Sequence, residues 1–267
     1  NCFHVSGQGG LKAALREVKS ELPEYTYCFK TDIESFYRTM DHHYLLSRFA
    51  HFVKDKRVMR LIDQCLNRVE VYQAEHKLVT QGVCKGCSLS PLLGALYLLE
   101  CDEQMMDKNI VYVRYMDDFI IFIKSRFQLK RMLKRLYGVL NDLKLSLAKD
   151  KTYIGKISHG FNFLGFHHHP SGVGVSQNTL SRMFQKVAWL YEQQANKSCL
   201  QAYLKRWQTW VNSQVGDIRF PIKFNSNPNP LKPIRVSLSL TNQGYVYESN
   251  KNLGGPMRNK SYYDDVL

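Results

Sequence analysis

The pattern of apolar and polar positions divides the chain into two kinds of segment. Residues 25–33, YTYCFKTDI, and 111–123, VYVRYMDDFIIFI, are short runs rich in Val, Ile, Tyr and Phe. Such residues suit a pleated, half-buried surface and predict strands. The second run is interrupted by two acids, so it reads as a β-hairpin over 110–123 with Asp117 and Asp118 at its turn. Residues 126–144 carry Leu129, Leu133, Leu136, Leu140 and Leu143 at helical spacing, with Lys130, Arg131, Lys134 and Arg135 on the remaining faces. A helical stretch at 44–68, a helix at 91–108 and a last strand at 152–157 are also expected, and 176–215 reads as two or three helices. Without the insertion at 44–68 the order is β-α-β-β-α-β, the split βαβ pattern of ferredoxin-like sheets and an α+β fold. That order brings the end of the first strand and the hairpin turn onto neighbouring central strands.

Asp is common in turns for its own hydrogen-bonding reasons, so Asp117-Asp118 alone could equally be an ordinary surface turn. The reading changes because the first strand delivers Asp32 at its C-terminal end. Adjacent like charges are unfavourable unless a cation sits on them, and hard divalent ions such as Mg2+ take carboxylate oxygens. Two-metal phosphoryl or nucleotidyl transfer needs carboxylates from separate strands converging on ions about 3.5–4 Å apart. Asp32, Asp117 and Asp118 could supply them.

Five segments follow one another between Phe29 and Phe166: FKTDIESFY, QGVCKGCSLSPLLGALYL, VRYMDDFIIF, LSLAKDKT and FNFLGF. In this order they resemble the palm of a reverse transcriptase, most of all the bacterial enzymes of the group II intron and intron-like type. The resemblance implies a polymerase palm on the βαββαβ core, partial fingers and a C-terminal helical thumb. The expected boundaries are 1–168 for partial fingers and palm, 169–215 for the thumb and 216–267 for an irregular or disordered tail rich in Asn, Pro, Gly and Ser. Such enzymes carry further fingers residues before the segment that begins at Asn1, so this chain is expected to lack them. The implied activity is RNA-directed DNA synthesis from a primer 3′ end with two Mg2+ ions, Mn2+ being a substitute. Implied partners are an RNA template, a DNA or RNA primer, deoxynucleoside triphosphates and a cognate structured RNA.

The resemblance also implies roles at single positions. Asp32 and Asp117 would bridge both ions, Asp118 would be a weaker ligand, and the backbone carbonyl of Ile33 a further one. Phe36 or Tyr37 would pack under the sugar and exclude a 2′-hydroxyl, although either ring could be ordinary core. Lys151 matches a lysine proposed to protonate the leaving pyrophosphate, a role helped by a lowered pKa; a solvated loop lysine is the plain alternative. Gly86 precedes a helix start, with Ser90 expected as N-cap and Pro91 at the first helical position. Lys85 stands where the family usually has Gln, which would replace a neutral nucleotide contact by a phosphate contact. Tyr115, Met116, Phe163, Leu164 and Gly165 would lie along the primer and template, and the aromatics of FNFLGF could equally face a core. Trp189, Tyr191, Tyr203, Trp207 and Trp210, set among Lys186, Lys197, Lys205 and Arg206, suit a thumb that grips phosphates. The tetrad at 262–265, YYDD, lacks an apolar strand before it and is expected to have no catalytic role.

Composition narrows the partner class. The formal net charge of +14 favours polyanions, although a basic solvated surface would look the same. No apolar run has the length of a membrane span and the N-terminus is no signal peptide, so no membrane partner and a cytoplasmic location are expected. Seven dispersed cysteines make no disulfide framework. The lone CxxC at 84–87 and the His167-His168-His169 run do not add up to a zinc site. Two competitors use the same body: an RNA-binding maturase-like splicing cofactor with little polymerase activity, and a relative that makes RNA or extends DNA without a template. No endonuclease signature is visible.

Overall fold

The computed structural model describes residues 2–84 and 86–215. The expectations for Lys85, for the 216–267 tail and for the 262–265 tetrad lie outside the described residues. Helix α1 (Gly10–Glu21) leads through a 3-10 turn into strand β1 (Tyr27–Asp32), followed by the one-turn α2 (Phe36–Thr39), α3 (His42–Phe52) and α4 (Lys56–Leu66). A hairpin of β2 (Val69–Tyr72) and β3 (Glu75–Leu78) precedes α5 (Ser90–Tyr97) and α6 (Leu99–Gln104). Next come β4 (Ile110–Tyr115), β5 (Asp118–Ile123), α7 (Arg126–Asp142) and β6 (Tyr153–Lys156). The small strands β7 (Phe161–Phe163), β8 (Phe166–His169) and β9 (Gly172–Val175) are followed by α8 (Gln177–Glu192) and α9 (Lys197–Val215).

The main sheet is antiparallel in the order β4-β5-β1-β6, so β1 and β5 are its central strands, as the β-α-β-β-α-β reading requires. Both of its faces are buried. On one, Phe29, Tyr112, Phe119, Ile121 and Ile123 meet Leu129, Met132, Leu136 and Leu140 of α7 together with Leu93 and Tyr97 of α5. On the other, Cys28, Val113, Ile120 and Phe122 meet Ala14 and Val18 of α1 and Phe161 and Phe163 of β7. Double burial explains why β5 reads FIIFI without alternation. Each of these fully buried rings contributes roughly 1.5–3 kcal/mol by transfer from water. Helix α7 starts where its sequence says: the Ser125 hydroxyl accepts from the Gln128 N–H, and the Gln128 side chain accepts in turn from the Ser125 N–H.

Several expectations are corrected. The helical stretch expected at 44–68 is present and divides into two helices, because Val53 is extended and the Asp55 carboxylate caps a fresh start by accepting from the Arg57 N–H at 2.8 Å. The helix expected at 91–108 breaks at Leu98, where ψ is 8°, and ends at Gln104. Ser90 is not the N-cap: it is the first helical residue, Pro91 the second, and the Ser90 hydroxyl donates to the Cys84 carbonyl at 2.5 Å. The β2–β3 hairpin was not expected, since its turn residues Gln73 and Ala74 take positive φ without the usual Asn or Gly. Residues 172–175, expected within the helical region from 169, instead add β9 to the small sheet. Among the described residues no helix is long and apolar enough to cross a membrane.

Candidate active site

The sheet register brings the three acids together. Asp32 is paired directly with Asp118 across β1 and β5, and Asp118 with Tyr115 across β4 and β5. Met116 and Asp117 form the connecting turn, and the Ile33 N–H donates to the Asp117 carbonyl at 3.3 Å. Because side chains alternate along a strand, Asp32, Tyr115 and Asp118 share the face that also carries Lys30. Asp32 is buried, whereas Asp117 and Asp118 are half-buried.

Charge compensation there is incomplete. Lys151 Nζ pairs with Asp32 Oδ2, but Asp32 Oδ1 is buried with no hydrogen-bond partner among the described residues. Burial, and then the neighbouring Asp32 charge, push both Asp117 and Asp118 up to about 6. Lys30 and Lys151 pull Asp118 the other way without cancelling the rise. Among the described residues no group of three or more His, Cys, Asp or Glu forms a ready metal cluster, and a lysine rather than a second acid engages Asp32 Oδ2. The donor set still fits a hard divalent cation: an orphaned buried carboxylate oxygen and two acids that resist ionisation are what such an ion would satisfy.

The turn is braced from both sides. Met116 has φ of 58°, a left-handed conformation that costs a non-glycine residue about 1–2 kcal/mol. Its N–H donates to His4 Nδ1 at 3.0 Å, and its carbonyl accepts from the Arg114 guanidinium at 3.0 Å. Arg114, completely buried, forks onto Asp102 of α6 through Nε and a terminal nitrogen, and the Tyr112 hydroxyl donates to the same carboxylate at 2.7 Å. Burial alone would lower the Arg114 pKa, but the hydrogen bonds and charge of Asp102 raise it above its usual range. Sequence reasoning missed His4, Arg114 and Asp102. An arginine inside VYVRYM was a usable signal, since a buried guanidinium demands a partner.

Around the acids, Phe36 and Tyr37 lie 5.1 Å apart, ring centre to ring centre. Phe36 is buried, while Tyr37 is half-buried and feels the Asp117 charge after the larger effect of burial, both raising its pKa. Gly94 lets this pair approach α5, since a Cβ there would lie 3.1 Å from the Phe36 ring. Gly86 sits in an exposed turn with positive φ. Lys151 differs from the expectation of a lowered pKa: its bond to Asp32 raises it. FNFLGF is a tight hairpin with Leu164 and Gly165 at its turn; Phe163 is fully buried, so only the turn reaches the open side. The three histidines do not converge: His168 points inward and stacks on Phe161, while His167 bonds Asn162 and His169 bonds Ser171.

A cleft of about 580 Å³ runs past Tyr115, Met116, Asp117, Asp118, Leu164 and Gly165. Its far wall comes from α8 and α9, with Arg182, Tyr203, Trp207 and Trp210. Trp189, outside the cleft, is covered by Lys186 Nζ 3.5 Å from its ring centre.

The family described as "Reverse transcriptase (RNA-dependent DNA polymerase)" matches residues 5–168. Protein YkfC of Escherichia coli K12 is 25% identical over 208 residues, which take in 61% of this chain and 55% of YkfC. The group II intron-encoded protein LtrA of Lactococcus lactis subsp. cremoris is 23% identical over 226 residues, covering 60% of this chain and 37% of LtrA. The chain thus spans little more than half of one curated relative and about a third of the other. The solved apo telomerase of Candida tropicalis, truncated from the C-terminal domain, superposes with a TM-score of 0.51 at 16% identity, over 62% of this chain and 39% of the telomerase; that likeness concerns the fold alone. The family match covers well over half of the chain and includes all three acids and their braced turn, so the chain belongs to the reverse transcriptase family, with similarity to its bacterial intron-encoded members.

Proposed function

We propose that this chain carries the catalytic centre of an RNA-directed DNA polymerase, with Asp32, Asp117 and Asp118 as its metal-binding acids. The observation that carries this reading is the direct cross-strand pairing of Asp32 with Asp118 beside the Met116-Asp117 turn, with Asp32 Oδ1 buried and unsatisfied. Asp32 and Asp117 would hold both ions, with Asp118 and the Ile33 carbonyl as lesser ligands. When bound, two Mg2+ or Mn2+ ions supply electrostatic stabilisation of the reacting phosphate and a lowered pKa at the primer hydroxyl.

The chain's own residues do the rest. Lys151, protonated beside Asp32, is the candidate donor to the leaving pyrophosphate, with the Asp32 contact that raises its pKa working against proton release for as long as it lasts. Tyr37, the member of the aromatic pair that keeps exposed surface, is the candidate barrier to a 2′-hydroxyl. Tyr115, Met116, Leu164 and Gly165 line one side of the cleft and would orient the primer end, with Phe163 packed beneath their hairpin. Arg182, Tyr203, Trp207 and Trp210 face them with one cation and three rings, a combination suited to phosphate and stacked bases. In this reading 1–168 forms palm and partial fingers, and the helices up to 215 act as the thumb. A formal charge of +14 supports RNA and DNA as partners.

The test is dTTP incorporation on poly(rA) with an oligo(dT) primer and Mg2+, comparing the chain with its Asp117→Ala and Asp118→Ala forms. Incorporation that vanishes in both variants is the expected result. A chain that binds RNA tightly yet incorporates nothing would sink the polymerase reading for this polypeptide and favour an RNA-binding role.

A further inference from the structure

The segment before α1 meets the acid-bearing turn with unusual specificity. The Phe3 N–H donates to the Arg114 carbonyl at 3.0 Å, which docks this segment alongside β4 and delivers the imidazole of His4 to the turn. There the ring makes two bonds in opposite directions. Nδ1 accepts from the Met116 N–H at 3.0 Å, and Nε2 meets the Pro91 carbonyl at 3.0 Å. A backbone N–H can only donate and a carbonyl can only accept, so the two partners select one form of the ring: neutral, with its proton on Nε2. Cys2 Sγ lies 3.3 Å from the same Nδ1, and the Tyr115 ring stands edge-on with centroids 6.0 Å apart.

Both ends of this bridge matter for the site. Met116 is the left-handed residue immediately before Asp117, and its carbonyl is already held by Arg114. His4 therefore closes the second of its two backbone anchors. Pro91 lies in the first turn of α5, the helix entered from the loop containing Gly86 and Cys87. We propose that His4 is a positioning residue: a neutral imidazole strut that ties the Met116-Asp117 turn to the start of α5 and so fixes where the Asp117 carboxylate points. His4 does not line the cleft and acts through the turn rather than on substrate.

The two nitrogens can be separated by substitution. His4→Asn retains an acceptor near the Nδ1 position and loses the arm to Pro91. His4→Gln retains a donor near the Nε2 position and loses the acceptor for Met116, and His4→Phe loses both. Two measurements are made on the full chain: amide hydrogen exchange at Met116, and steady-state primer extension with kcat and the dNTP KM determined separately. The strut requires a slowly exchanging Met116 amide in the parent and in His4→Asn, and a fast one in His4→Gln and His4→Phe. It also requires kcat to fall in all three variants, about tenfold to a hundredfold in His4→Gln and His4→Phe, the scale of a small misplacement of a reacting group, and by a smaller factor in His4→Asn, which has lost the arm to Pro91, with KM nearly unchanged. A His4→Gln protein with the parent kcat, or a Met116 amide that exchanges equally fast in all four proteins, overturns it. The kinetic arm rests on the polymerase reading and the exchange arm does not: a parent that incorporates nothing but keeps the exchange pattern defeats that reading and upholds the strut.

Discussion

On the helical face of the sheet, Arg114 and Asp102 meet as a fork, both acceptor oxygens used, with a guanidinium of no exposed surface. On the opposite face, Lys151 and Asp32 meet through a single oxygen, with the lysine side chain 57% exposed and the other carboxylate oxygen unsatisfied. The first pair is closed: both carboxylate oxygens and all three guanidinium nitrogens have partners inside the protein. The second is open, because a flexible point charge on a solvated stem can leave and another cation can take its place. A few ångströms of sheet thus separate a fixed support from an exchangeable site.

The sharpest test of this contrast removes an acid from the open side. Asp32→Ala or Asp117→Ala should reduce nucleotide incorporation by about 10³-fold, the scale of losing charge stabilisation at a reacting centre, while the fold survives by circular dichroism. Next in size is the closed pair. Arg114→Met strands Asp102 in the interior and should cost about 3–5 kcal/mol, lowering Tm on the order of 10 °C; Arg114→Lys should not restore it, since a single ammonium cannot replace the fork.

A third prediction concerns pH. Asp117 and Asp118 ionise near 6 in the folded chain and near 3.8 when unperturbed. The native state therefore binds more protons than the unfolded state across that window, and this contribution to stability falls as pH rises from about 4 to about 6 and stays low above it. Without divalent ions, thermal unfolding should show a higher Tm on the acid side of the window, and Asp117→Asn should flatten the slope. Added Mg2+ should raise Tm more above the window than below it, because protons and metal compete for the same oxygens. Smallest of all, Lys151→Met should change stability by less than about 1 kcal/mol in a melting experiment. If it proves as damaging as Arg114→Met, the distinction between the two pairs is lost.

The acid-bearing strands were legible because their sequence is constrained on both faces. The flanks of Asp117-Asp118 are apolar whichever way their side chains point, and Asp32 ends a run of the same kind. Helix α7 was legible from its leucine stripe. What escaped notice depended on distance or on missing turn chemistry. His4 finds its partner 112 residues away, and no local pattern announces such a bond. The β2–β3 hairpin exposes Val69, Val71 and Leu78, so its alternation marks no core, and Gln73-Ala74 is not a turn signature. The raised pKa of Lys151 came from a tertiary contact between segments 119 residues apart.

Strand β5 also poses a folding problem that the support on the helical face answers. With Phe119 to Ile123 buried on both faces, sliding the strand by one residue would exchange one apolar surface for another, so greasiness alone cannot distinguish the working alignment from its neighbour. Arg114 can. Because the two-residue turn ties β4 to β5, a shift of the hairpin along β1 carries Arg114 with it, and its guanidinium would then turn away from Asp102 toward α1 and lose its partner, a penalty of about 3–5 kcal/mol. The same buried charge that holds the Met116 carbonyl therefore also disfavours a register shifted by a single residue, in which the acids would face the other side of the sheet.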